Sequence, residues 1–203
     1  MKQIVLEPDF SINQDIGLHP ESMNVEQRLA SGFILLDKPP GPTSHQIASW
    51  VRDLFELDRL GHGGTLDPFA TGVLPLMSGK AMKLTKGILK SDKTYIAVFK
   101  FAKCPSEEQV IDLLNKLTGR IYNVPPEISA VKVQVRTRKI FKFEMLDMAN
   151  NLLVTRIVCE AGTYIRTIAR DMGLLLGHKV ELKELRRENS GMFELSQCVT
   201  LQE

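Results

Sequence analysis

The sequence predicts an α+β fold with a central, mostly antiparallel mixed sheet flanked by helices. Two observations carry that reading. Strand-like and helix-like stretches follow one another without the regular βα alternation of a doubly wound parallel sheet. The clearest strand candidate, Lys93 to Lys103, also alternates in period two: Tyr95, Ala97, Phe99 and Phe101 face one way, as in a half-buried strand. With 203 residues, 43% apolar and 25% charged, the chain is long enough to bury a sizeable core and has ordinary globular composition.

Taken in order, residues 1–31 contain Pro8, Gly17 and Pro20 and read as an irregular extension wrapping a domain formed by residues 32–203. Gly32 to Asp37 is an apolar run suited to a buried strand. Lys38-Pro39-Pro40-Gly41-Pro42 forbids both helix and ladder pairing, so it must be a rigid turn. Thr43 or Ser44 then caps a helix whose apolar face is Ile47, Trp50, Val51, Leu54 and Phe55. Gly79 to Lys86 is basic and partly helical. Ser106 to Gln109 is a capping box opening a helix through Val110, Leu113, Leu114 and Leu117, which Gly119 ends. An extended segment starts at Val124-Pro125-Pro126. Val131, Val133 and Val135 alternate, as do Phe141, Phe143 and Met145, and Leu152 to Cys159 is a further strand. Gly162 to Arg166 opens a helix through Leu176 that stops at Gly177. Glu181 to Arg187 is amphipathic and basic.

Several function classes drop out. The first ten residues hold Glu7 and Asp9 and no apolar run of signal-peptide length, and no stretch of about 18 apolar residues could span a membrane. Cys104, Cys159 and Cys198 are odd in number and far apart, which suggests a reducing, cytoplasmic setting. Those cysteines and the four scattered histidines offer no local metal-ligand spacing, so no metal is expected. Net charge is only +2, but it is uneven. Residues 36–103 hold ten basic and six acidic side chains, and residues 131–187 hold twelve and six. Two basic blocks suit a polyanion held on one face, although such blocks also occur as plain solvated surface.

The densest candidate chemistry is Gly61-His62-Gly63-Gly64-Thr65-Leu66-Asp67-Pro68. Glycine lets the backbone approach another group closely, and Pro68 biases Asp67 toward extended backbone. The stretch reads as a stiff loop holding one carboxylate beside open space, or as a tight hairpin in which Asp67 caps a turn. A buried carboxylate acting as nucleophile or base needs a nearby cation. Arg166, beside Tyr164 and Ile165, is the attractive partner, although Asp171 could instead pair with Arg166 or Arg170. Tyr95 offers a stacking face and a hydroxyl, or is a plain core tyrosine. Gly79-Lys80 lacks the spaced glycine and the following Ser/Thr of a phosphate loop.

These blocks together resemble the TruB and dyskerin group of RNA pseudouridine synthases. Gly61 to Pro68 with Ala70-Thr71-Gly72-Val73-Leu74-Pro75 is similar to that family's catalytic motif. Leu36 to His45, Lys93-Thr94-Tyr95, Val124 to Lys132, Gly162 to Arg166 and Glu184 to Arg187 follow in the family's order. The His19-Pro20-Glu21 region and the Pro39 to His45 wording look closer to the archaeal and eukaryotic dyskerin (box H/ACA) branch, whereas Phe69-Ala70-Thr71 leans toward the bacterial one. The resemblance implies a pseudouridine synthase fold and isomerisation of uridine in structured RNA, with no cofactor. By it Asp67 is the nucleophile, Arg166 its partner, and Tyr95 the residue that stacks on uracil and takes the proton at carbon five. His62 fills the space left by the flipped base, Leu185 is an apolar wall, and Lys132 lies near the pocket. Lys38, Gly64, Thr65 and Leu66 complete the substrate-binding set. The implied partners are tRNA or rRNA, a guide RNA and small H/ACA ribonucleoprotein proteins. Dyskerin-type relatives continue into further helices and a C-terminal PUA domain, and with the sequence stopping at Glu203 both are expected to be missing. The alternative within the same fold is an RNA-binding scaffold or chaperone with little turnover.

Overall fold

The computed structural model describes residues 20–124 and 135–202. A short 3₁₀ turn at Pro20–Ser22 precedes helix α1 (Val25–Ala30), which Asn24 caps through a reciprocal bond with Gln27. Strand β1 (Phe33–Lys38) leads through the proline turn to α2 (Ser44–Leu54), capped by Thr43. Next come β2 (Leu60–His62), the Asp67 loop and β3 (Thr71–Ser78). A 3₁₀ turn at Gly79–Leu84 and α3 (Thr85–Lys90) connect to β4 (Lys93–Phe101). Then follow α4 (Glu107–Leu117), β5 (Gly119–Asn123), β6 (Arg136–Ala149), β7 (Leu152–Cys159), α5 (Ile165–Leu176), β8 (Val180–Ser190) and β9 (Phe193–Glu194). A last 3₁₀ turn spans Leu195–Gln197.

The strands form one sheet in the order β1-β3-β8-β4-β7-β6-β5, with β2 added beside β3 and β9 beside β8. Among the described residues every named pairing is antiparallel except β3 with β8. That parallel contact is short, pairing Thr71 with Arg186 and Gly72 with Arg187. The expected mostly antiparallel mixed sheet is what forms.

Two apolar cores lie on this sheet. The larger joins Tyr95, Ala97, Phe99 and Phe101 of β4 to Val110, Leu113, Leu114 and Leu117 of α4 and to Ile165, Ile168 and Met172 of α5. The smaller packs Ile47, Ala48 and Val51 of α2 on Leu36, Leu74 and Leu76. The buried face of α2 is thus Ser44, Ile47, Ala48 and Val51, spaced three and four apart. Trp50, Leu54 and Phe55, expected on that face, are exposed: Trp50 sits about a third of a turn away from it and Leu54 about a fifth, and Phe55 follows the helix's last residue as its C-cap.

Further features of the sheet depend on their surroundings. The turn-rich stretch after the glycine loop contains a central strand, β3. Pro75 is tolerated there because a strand residue's N and O point the same way, and the Pro75 carbonyl accepts from Gly63 N (2.8 Å) on the β2 side. The lost donor therefore leaves the β1 ladder intact. The 181–187 segment is also a central strand, and Gly119 both ends α4 and begins β5. In β6 the register with β7 skips between Ile140 and Lys142, so the bulge turns Phe141 outward and puts Ile140 and Phe143 in the core. The short helix α1 forms within the stretch expected to be irregular. The Pro125-Pro126 segment and the Val131 and Val133 alternation lie outside the described residues, as does most of the N-terminal extension.

Gly72 carries the joint between β3 and β8. Its φ is +101°, and an added Cβ would overlap the Arg187 backbone carbonyl. We expect Gly72→Ala to lose at least about 3 kcal/mol in urea unfolding, from the sum of backbone strain and overlap.

Candidate active site

Asp67 sits on the loop between β2 and β3, and that loop is held by its backbone at nearly every second residue. Gly64 O accepts from Arg187 Nη2 (3.0 Å). Leu66 N donates to Ser44 Oγ (2.9 Å). Pro68 O accepts from Gly41 N (2.8 Å) and Lys38 Nζ (3.0 Å), and Ala70 O accepts from Lys38 Nζ (2.8 Å). Leu66 and Ala70 are buried in the larger core. The loop is a stiff support, and the Asp67 side chain is left to face outward.

What it meets is Arg166. Arg166 Nη2 lies 2.8 Å from Asp67 Oδ1, with both side chains about one-third exposed. Arg170 pairs instead with Asp171 at 2.8 Å, which resolves the competing pairing. Arg166 is the second residue of α5, and the start of that helix is pinned. Asn123, buried at the end of β5, accepts from Tyr164 N (2.8 Å) and donates to Tyr164 O (3.2 Å). Thr167 Oγ1 donates to Val124 O (2.6 Å).

The pair opens onto a cavity of about 380 Å³. Of the residues expected at the site, Asp67, Tyr95, Arg166, Gly64, Thr65, Leu66 and Leu185 all line it. Tyr95 is a core residue and a cavity wall at once, and burial raises its phenol above the usual tyrosine range, so the ring stands there protonated.

Two expected substrate-binding residues are placed elsewhere. Lys38 is fully buried, and its ammonium donates to the carbonyls of Pro39, Pro68 and Ala70. It is a bracket beneath the loop and does not line the cavity. His62 also lies off the lining, edge-on to His45 with ring centroids 4.7 Å apart. Its Nδ1 is buried without a partner, and burial, then His45 and Arg187, lower its pKa. Lys132 lies outside the described residues.

The cavity also holds residues that the motif reading passed over. Arg187 is buried and donates to Val73 O (2.8 Å) as well as Gly64 O. Leu89, Lys93, Thr163 and Glu160 complete much of the wall. Period-two reading of Glu184 to Arg187 would have found Arg187, since Leu185 and Arg187 share one strand face. Arg186 faces the other way and pairs with Asp37 at 2.6 Å. Glu160 brings a second carboxylate, but its Oε2 accepts the Lys139 N–H (3.0 Å). Among the described residues no three His, Cys, Asp or Glu side chains gather as a metal-ligand set, and no helix is long and apolar enough to cross a membrane.

Residues 52–107 match the TruB family pseudouridylate synthase N-terminal domain, and residues 2–48 match the DKCLD domain. The "Probable tRNA pseudouridine synthase B" of Methanocaldococcus jannaschii is 38% identical over 202 residues, which is 100% of this chain and 60% of that protein. A solved Cbf5-Nop10-Gar1 complex contains a chain 38% identical with a TM-score of 0.88, covering 97% of this chain and 60% of that one. An H/ACA RNP bound to a substrate RNA containing 2′-deoxyuridine gives 35% identity and a TM-score of 0.86, covering 98% and 60%. The chain thus spans about 60% of the length of these relatives.

Lys93 gives a pH test. Burial, with Arg187 adding to it, pushes its ammonium down from 10.5 to about 8. Between those values the unfolded chain keeps a proton that the folded one has lost, so stability rises with pH in that window. Denaturant titrations should show the wild type gaining about 1–3 kcal/mol over Lys93→Met from pH 8 to 10.5. A second expectation concerns Lys38: Lys38→Met should lose roughly 2–4 kcal/mol by the same method, because three buried charge-assisted bonds to carbonyls are lost.

Proposed function

Because the chain belongs to the TruB family of pseudouridylate synthases, on its dyskerin-like side, we propose that it isomerises uridine to pseudouridine in structured RNA. The observation that carries the proposal is the Asp67–Arg166 pair at 2.8 Å on the edge of a cavity walled by Tyr95. In this reading residues 32–203 are the catalytic unit and 1–31 an extension. No step calls for a metal or organic cofactor. Three unpaired cysteines agree with a cytoplasmic setting.

The reaction breaks the bond from ribose C1′ to uracil N1 and makes one from C1′ to C5. The C5 proton leaves and N1 gains one, so the change is an isomerisation. A uridine inside a duplex cannot reach Asp67, so the nucleotide must be flipped into the cavity, whose volume suits one nucleoside. Tyr95 supplies a rigid aromatic face for the base and Leu185 an apolar one beside it. Arg166 fixes the direction of the Asp67 carboxylate, which acts on the ribose or on the base. Burial holds Tyr95 as the phenol, and Arg187 offsets this in part toward the phenolate, the form Tyr95 would need to take the C5 proton.

The RNA is the finer part of the proposal. Relatives carry the name tRNA pseudouridine synthase B, while the solved neighbours are H/ACA assemblies with Nop10, Gar1 and substrate RNA. We infer that this chain acts on tRNA or, with a guide RNA and such small proteins, on rRNA. Purified protein alone on a bare tRNA transcript separates the two: turnover there sinks strict guide dependence.

Tritium release from RNA carrying 5-tritiated uridine tests the activity itself. Wild type should release tritium, and Asp67→Asn should fall by a factor of ~10³ or more. Equal background from both would leave a scaffold without turnover. Arg166→Ala should lose activity to a similar degree while RNA affinity changes less than about threefold, because its role is to hold a carboxylate rather than a phosphate. A large loss of affinity would assign Arg166 to the RNA backbone instead.

A further inference from the structure

Arg187 is the largest fully buried side chain of the described residues, at 1% exposure, and its N–H groups go to carbonyls rather than to a carboxylate. A guanidinium so placed is costly to desolvate, and backbone bonds alone offset that cost only in part. Its position explains more than its bonds do. It stands directly across from Tyr95 in the β4–β8 ladder, whereas Thr94 pairs with Asn189, so Glu188 is an extra residue at that point. The bulge keeps Tyr95 and Arg187 on one face, and both side chains line the cavity. Its Nη2 meanwhile bonds Gly64 on the Asp67 loop, and its Nε bonds Val73 on β3. At Gly64, where φ is +131°, an added Cβ would stand 3.5 Å from the Arg187 Nη1. One side chain therefore touches the support of the nucleophile, the strand that follows it and the aromatic platform.

We propose that Arg187 is a positioning residue for the reaction, acting through Tyr95: it sets the spacing and orientation of the tyrosine relative to the Asp67 loop. Arg186, one residue earlier, cannot share this task, because it emerges on the opposite face against Asp37 and Thr71. The inference rests on the proposed activity for its kinetic test and is independent of it for its spectroscopic one.

The kinetic test is a double-mutant cycle on tritium release. Arg187→Met should lower kcat about 50-fold with KM within about threefold, and Arg187→Lys should recover part of the loss, since an ammonium reaches one acceptor but lacks the fork. In the Tyr95→Phe background the Arg187→Met substitution should cost less than about threefold. Equal losses in both backgrounds would overturn the proposal, and so would failure of both Arg187 variants to fold, which would make the residue a support of the fold alone. The second readout is fluorine NMR of protein labelled with 3-fluorotyrosine, with Tyr95→Phe identifying one of the three tyrosine signals. In Arg187→Met the Tyr95 titration midpoint should rise while those of Tyr122 and Tyr164 stay. An unmoved midpoint refutes the contact whatever the activity. Absent wild-type turnover with a moved midpoint would sink the activity and leave the contact standing.

Discussion

A carboxylate and a guanidinium 99 residues apart in sequence meet at 2.8 Å on the edge of the cavity. Both partners are about one-third exposed, so the ion pair itself contributes little, on the order of 1 kcal/mol or less. It is too weak to assemble the site. The geometry is imposed from behind by buried polar bonds, each worth more than the pair. Charged donors to carbonyls contribute about 1.5–3 kcal/mol apiece, and Lys38 and Arg187 supply four of them to the Asp67 loop and its flanks. Asn123 does the same for α5 with two neutral bonds. The exposed pair can therefore exchange its partner for a substrate without loosening the elements that carry it.

Strand β8 ties these supports together. Through β4 it reaches the larger core, and through its short parallel contact with β3 it reaches the smaller one. Along it, Leu185 and Arg187 face the cavity, while Arg186 pairs across the other face with Asp37 of β1. Gly72 allows the strands to close at the level of Arg187. A few residues of β8 thus fix the distance between the β1–β3 side, which carries Asp67, and the β4–β7 side, which carries Tyr95.

The parts of this arrangement that the sequence made legible are those that follow a local rule. Capping boxes at Thr43 and Ser106, the α4 apolar face, the β4 alternation and the αL stop at Gly177 all behave as their spacing dictates. What was hidden needed a partner distant in sequence. Strand β3 reads as turn-rich because of Gly72 and Pro75, yet both are tolerated where β3 changes partner from β8 to β2. The bulge at Phe141 inverts a correct alternation, and Trp50 is apolar without being buried. At the site, Asp67, Arg166 and Tyr95 were identifiable from composition and resemblance. The motif position of Lys38 marks the residue without showing that its ammonium bonds the loop's carbonyls and lies off the cavity lining. Arg187 was overlooked because its neighbour Leu185 occupied the same motif.

The same contrast explains why the site is rich in cations yet holds so few ion pairs. Lys38, Lys93 and Arg187 are all buried, and each is bonded chiefly to carbonyl oxygens. Burial lowers the pKa of both lysines, so the fold bears a charge cost there in exchange for rigidity. Carbonyls hold a cation in place without cancelling its charge, as a carboxylate would. The field of Arg187 and Lys93 therefore reaches into the cavity largely intact and pre-oriented. In the proposed reaction uracil departs with the electron pair of its glycosidic bond and must be kept, turned and rejoined. Fixed cations behind an aromatic wall suit that task, because they stabilise the detached base's negative charge with no reorganisation at the moment it forms.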